Sequence, residues 1–122
     1  MSNYDKKTIY GVDFVNCTPH AITIATGTDG NVEFAAPQNR DKCPRVESKR
    51  VSAWHPVLKL ETYGEVVNLP YPEPDTYLIV SRLVAAALPN RIDLVVPNTA
   101  DAIRDENGHI VAVEGLILAN PE

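Results

Sequence analysis

No apolar run in this chain of 122 residues approaches the length of a membrane span. The opening residues, MSNYDKKTIYG, also lack the apolar core of a secretion signal. A cytoplasmic setting is therefore expected. Cysteine is scarce. Cys17 and Cys43 are too few for a disulfide framework and read as two reduced thiols. Positive charge is also in short supply, with 11 Lys and Arg against 16 Asp and Glu, a net charge of −5. Duplex nucleic acid and anionic membranes both require a basic patch, so neither is expected as a partner. A small anionic ligand stays open, because two or three local arginines can hold one. No low-complexity tract or internal repeat is visible, and the 10 prolines and 6 glycines are spread as turn punctuation.

Catalytic motifs are missing too. There is no GxSxG elbow, no glycine-rich phosphate loop and no HExxH, and the carboxylates are scattered through turns. No enzyme activity and no cofactor are expected. Cys17-x-x-His20 with Cys43 and His55 could be pieced into a zinc site, but no CxxC or HxxxH pair exists. No metal is expected.

What is present is ordinary globular composition, 44% hydrophobic and 22% charged. It fits one domain over 1–122, with 1–8 and 119–122 as loose ends. Its centre is TYLIVSRLVAAALPNRIDLVVPNTADAIRD, residues 76–105. Tyr77 to Val80 and Asp93 to Val96 read as short buried strands. Ser81 is a good N-cap for an Ala/Leu-rich helix from Arg82 to Leu88, which Pro89 ends. A small strand–helix–strand unit follows, with a hairpin as the alternative.

Elsewhere the pattern is strand-like. Tyr10–Asn16 and Ala21–Thr26 read as strands joined by a tight link at 17–20. The pair Asp29-Gly30 signals a hairpin to Val32–Ala35. Residues 36–44 form a polar loop, and 45–54 is at best an exposed strand. Tyr63-Gly64 suggests a turn between strands at 56–61 and 65–69. Pro70, Pro72 and Pro74 make an extended connector. Asn107-Gly108 joins Ala102–Asp105 to Ile110–Leu118 as a last hairpin. The expected fold class is α+β: a compact β-rich domain of antiparallel hairpins with one short strand–helix–strand unit.

Binding is the better case for function. If the two central strands are parallel, Ser81 and Pro97-Asn98 lie side by side at their carboxyl ends, where open sheets bind ligands. Arg91 or Arg104 could then grip a phosphate. The bland alternative is that Ser81 only caps, Asn98 only turns and the arginines are solvated.

The string Asn16-Cys17-Thr18-Pro19-His20-Ala21-Ile22-Thr23-Ile24 resembles the Asn-Leu-Thr-Pro-His opening of a group of small phage and prophage proteins. YLIVS (77–81), NRIDLVVP (90–97) and RDENGHIV (104–111) are similar to segments found there in the same order, covering about half the chain. That group is similar to the Thoeris anti-defence sponge family, phage-encoded proteins that sequester cyclic ADP-ribose signals without cleaving them. The resemblance implies a homo-oligomer with pockets at subunit interfaces, acting in the cytoplasm of an infected bacterium. It implies a cyclic ADP-ribose isomer as ligand, and cyclic oligonucleotides at separate sites in some members. Asn90, Arg91 and Arg104 would line the pocket, with Tyr77 or Leu78 against the base and Arg45 as an upstream cation. His20 and Asp105, inside the matching motifs, complete the set. Cys17 departs from the usual leucine and is expected to fill an apolar slot. The competing expectations are a small structural or assembly protein of a virion, with no ligand, and a small hydrolase or nucleotide-modifying enzyme.

Overall fold

The computed structural model describes residues 4–25 and 30–120. In chain order the first strands are β1 (Lys6–Ile9), β2 (Val12–Asn16), β3 (Ile22–Ala25), β4 (Asn31–Phe34), β5 (Arg45–Ser52) and β6 (Lys59–Val67). Then come β7 (Thr76–Ile79), helix α1 (Arg82–Ala87), β8 (Leu94–Pro97), β9 (Ala102–Arg104), β10 (Ile110–Val113) and β11 (Leu116–Leu118). They form a five-stranded sheet ordered β1-β2-β7-β8-β11, a four-stranded sheet ordered β4-β3-β10-β9, and a ribbon of β5 and β6. The chain is a β-rich α+β protein with one short helix.

The strand–helix–strand unit is present. β7 and β8 run parallel, with Leu78 beside Leu94 and Ile79 beside Val95. Val84 N–H donates to the Ser81 hydroxyl at 3.2 Å, the N-cap bond expected of serine. Side chains alternate across these strands, so one unit feeds two cores. Leu78, Val80, Leu94 and Val96 pack under α1 with Val84, Ala85 and Cys17. Ile79 and Val95 point the other way, against Ile24, Phe34 and Val113 of the four-stranded sheet. Cys17 fills an apolar slot, as expected, and burial pushes its thiol up to about 12. Burial also raises the Cys43 thiol.

Four local expectations are corrected. Residues 6–8 are not a loose start, because β1 pairs antiparallel with β2 from Lys6–Val15 to Ile9–Val12. The turn is Tyr10-Gly11, both at positive φ, which is the two-residue geometry that suits strand twist. Tyr63-Gly64 is no turn. Both lie inside β6, which pairs with β5 on either side of a bulge at Gly64–Glu65 opposite Glu47, and the chain reverses at 53–58 instead. Residues 110–118 are not one strand. Gly115, at φ 92, breaks the run, so β10 pairs in one sheet and β11 crosses to the edge of the other, antiparallel to β8. Finally, 119–120 are tied down. Ala119 N–H donates to Leu94, and the Asn120 amide donates to the carbonyls of Leu88 at 2.9 Å, Ala85 at 3.2 Å and Arg91 at 3.3 Å. The Ala85 and Leu88 carbonyls, at the last turn and C-cap of α1, each also accept a backbone N–H, from Leu88 and Arg91.

Hairpin pairing is also incomplete as a description, since β2 with β7 and β3 with β10 pair in parallel. β3 and β4 pair as the Asp-Gly signal implied, although 26–29, in its turn, lie outside the described residues.

Candidate functional site

The residues singled out from sequence do not converge on one pocket. Ser81 is exposed and its hydroxyl is used by its own helix, which at six residues is too short to offer a separate anion site. Asn98 follows the carboxyl end of β8, and its amide donates to Asp101 at 2.9 Å and to the Glu114 carbonyl at 3.3 Å. Leu78 is core. Asn90, Arg45 and His20 are exposed. Arg104 donates to the Gly108 carbonyl at 2.8 Å, within the β9–β10 hairpin. Asp105 accepts from the Asn107 and His109 N–H groups, which sets the turn.

Arg91 is already spent. Its Nε and one terminal nitrogen grip both oxygens of Asp93 at 2.8 Å, and the guanidinium also donates to the Pro70 carbonyl at 3.2 Å. The pair is mostly sheltered from water, and the fork geometry is the strong bidentate kind. The hydrogen bonds that Arg91 donates hold the Asp93 carboxyl below the usual carboxylate range, and the same bonds raise Arg91. A depressed folded-state pKa stabilises the fold above the unfolded value and loses that contribution as pH falls through the folded one. Asp93→Asn is therefore expected to be less stable than the parent at neutral pH. It should also lose less further stability between about pH 5 and pH 2 than the parent does. Urea midpoints across that range check it, and parallel acid profiles would show that the pair does not carry the difference.

A concave feature among the described residues lies on the opposite face of the five-stranded sheet from α1. A cleft of about 680 Å³ opens between the two larger sheets. Phe14 and Tyr77 are neighbours in the parallel β2–β7 register, and their rings stack with centroids 5.7 Å apart and planes 21° apart. Around them the cleft takes Tyr10 from the β1–β2 turn, Ile24 from β3, and Glu114 and Leu116 from the corner where the chain changes sheets. Tyr77 is the single residue of the sequence-derived set that lines it. Among the described residues, Glu114 is the one carboxylate in the lining, and no lysine or arginine is there. Such a site can sandwich a flat ring between apolar walls and accept hydrogen bonds at its mouth.

Phe14 could have been found from sequence as an apolar position on the same strand face as Val12. Nothing local to Tyr10, Glu114 or Gly115 marks them, since each reaches the cleft through a turn or corner. Among the described residues, no three His, Cys, Asp or Glu side chains converge as metal donors, and no helix is long and apolar enough to cross a membrane. Comparison with protein families, curated proteins and solved structures finds no match.

Proposed function

We propose that this protein binds and sequesters a cyclic ADP-ribose-type nucleotide signal without cleaving it, with the inter-sheet cleft taking the base. The observation that carries the reading is the stacked Phe14–Tyr77 pair in a cleft of about 680 Å³, within the size range of small-ligand sites. Purine rings stack on aromatic side chains, and the Glu114 carboxylate is placed to accept from an exocyclic amine or a ribose hydroxyl. Among the described residues the lining pairs no nucleophile with a base, which suits retention over turnover. The phosphates then face the mouth. The homo-oligomer that the sequence resemblance implies is what would bring them a cation such as Arg104 of a second copy.

The test is to incubate the protein with cyclic ADP-ribose isomers, remove free ligand, release the remainder by heat and identify it by mass. Intact ligand is expected from the parent. Tyr77→Ala should weaken retention about 5- to 150-fold, the range for loss of one base–aromatic stack. Recovery of a cleaved product would make the protein an enzyme. No retained ligand would leave the virion-component alternative, and unchanged retention by Tyr77→Ala would move the site elsewhere.

A further inference from the structure

Beyond their root, β5 and β6 stand away from both cores as an arm. The residues of 48–52 and 59–65 whose burial is described are all exposed. Among the described residues no third strand pairs with either edge. The ladder runs through Arg50–Glu61, Val51–Leu60 and Ser52–Lys59, and Ala53 N–H donates to the Leu58 carbonyl at 3.1 Å. Trp54, His55, Pro56 and Val57 are left as the loop at the tip. Trp54 and Val57 are 87% and 77% exposed, and the Trp54 ring sits edge-on to His55. Because side chains alternate along strands, the arm has two unlike faces. Val51 and Leu60, both exposed, lie opposite each other on one face. On the other, Arg50 meets Glu61 at 3.4 Å and Lys59 donates to the Ser52 hydroxyl at 3.3 Å. Residues 48–60 hold the cations Lys49, Arg50 and Lys59 and no acid, in a chain of net charge −5.

We propose that the tip of this arm docks on an anionic lipid surface, with Trp54 and Val57 entering the headgroup layer and the three cations behind them. The shortage of positive charge that argues against such a partner is an average over the chain, and the distal arm reverses it. Tryptophan favours the boundary between water and lipid, and each cation near an anionic leaflet adds attraction. Glu61, the nearest acid, is already paired with Arg50. Glu47 lies five residues back from Ser52, roughly 17 Å along the strand, or about two screening lengths at physiological salt. The same length holds the acidic body off the surface. The arm rests at the boundary and does not cross it, because its unpaired edges need water. A single-stranded nucleic acid could use the cations and stack on Trp54, but it has no use for Val51, Val57 and Leu60. Lipid accommodates all of them.

The full chain is sedimented with vesicles of phosphatidylcholine, alone or with about 30% phosphatidylserine. Binding to the anionic vesicles is expected to be at least about tenfold tighter than to the neutral ones, and to weaken in about 0.5 M salt. The emission of Trp54, the sole tryptophan, should shift to the blue on binding. Lys49→Gln and Lys59→Gln should each weaken binding roughly fivefold, and Trp54→Ala roughly tenfold. Lys7→Gln, on β1 in the body, should leave it unchanged. No binding to anionic vesicles, equal binding to both kinds, or a Lys7→Gln loss matching that of Lys49→Gln would overturn the proposal. So would a Trp54 already blue-shifted in a lipid-free oligomer, or one quenched by a single-stranded oligonucleotide while vesicles are ignored. Vesicle binding and ligand retention are read separately, so failure here leaves the cleft to its own test.

Discussion

Asn16→Ala is expected to lower the thermal midpoint by roughly 10–15 °C, the largest effect of any polar substitution in this chain. Asn16 is fully buried at the end of β2, where the chain leaves one sheet for the other. Its amide donates to the carbonyls of His20 at 2.7 Å and Ala35 at 3.1 Å. Its oxygen accepts from the Thr18 hydroxyl at 2.7 Å and the Thr18 N–H at 3.1 Å. Alanine leaves those groups in a dry corner without partners, costing about 1–3 kcal/mol for each that finds no replacement. Asn16→Asp should be at least as harmful, because it keeps the acceptor but turns an anion toward two carbonyls. His20→Ala should be nearly silent, within about 0.5 kcal/mol, since the exposed ring adds nothing the corner uses beyond the backbone carbonyl. Thermal melts of the three variants check this. A loss below about 1 kcal/mol for Asn16→Ala would mean that water or backbone motion satisfies the corner. Within the Asn-x-Thr-Pro-His string, asparagine and threonine thus tie the corner and cysteine fills the core beneath it.

Leu94→Ala should cost about 3–4 kcal/mol and Leu83→Ala less than about 1 kcal/mol, although the two leucines belong to the same strand–helix–strand unit. Leu94 is fully buried among Leu78, Val80, Val84 and Val96 under α1, where a cavity cannot easily collapse. Leu83 is half exposed on the outer side of α1. Both changes remove the same atoms, so the difference isolates burial. Urea unfolding of the two variants measures it, and similar losses would mean that α1 is not seated on the sheet as described.

The part of the fold that was legible in the sequence is the part whose signals are local. Strand, cap, helix, proline stop and strand follow one another within residues 76–97, and each is favoured by its immediate neighbours. The Asp-Gly and Asn-Gly hairpins were legible for the same reason. β1 was not, because Lys-Lys-Thr-Ile is too polar to announce a strand, and its pairing depends on β2 and on a tyrosine held at positive φ in the turn. β6 was misplaced because a glycine at a strand bulge looks like one that turns. The site fared worse than the fold. Arg91 looked available until Asp93, two residues on, was seen to occupy it.

By itself, then, the order of residues determined the fold class, the central unit and the lack of the catalytic motifs sought. Each of these depends on neighbours in the chain or on composition. Tertiary structure alone decided which strands share a sheet, where Gly115 hands the chain from one sheet to the other, and that Phe14 lies on Tyr77. Those contacts join segments up to a hundred residues apart, and no short-range preference encodes them. The cleft is assembled from six such segments, so it exists only once both sheets have closed.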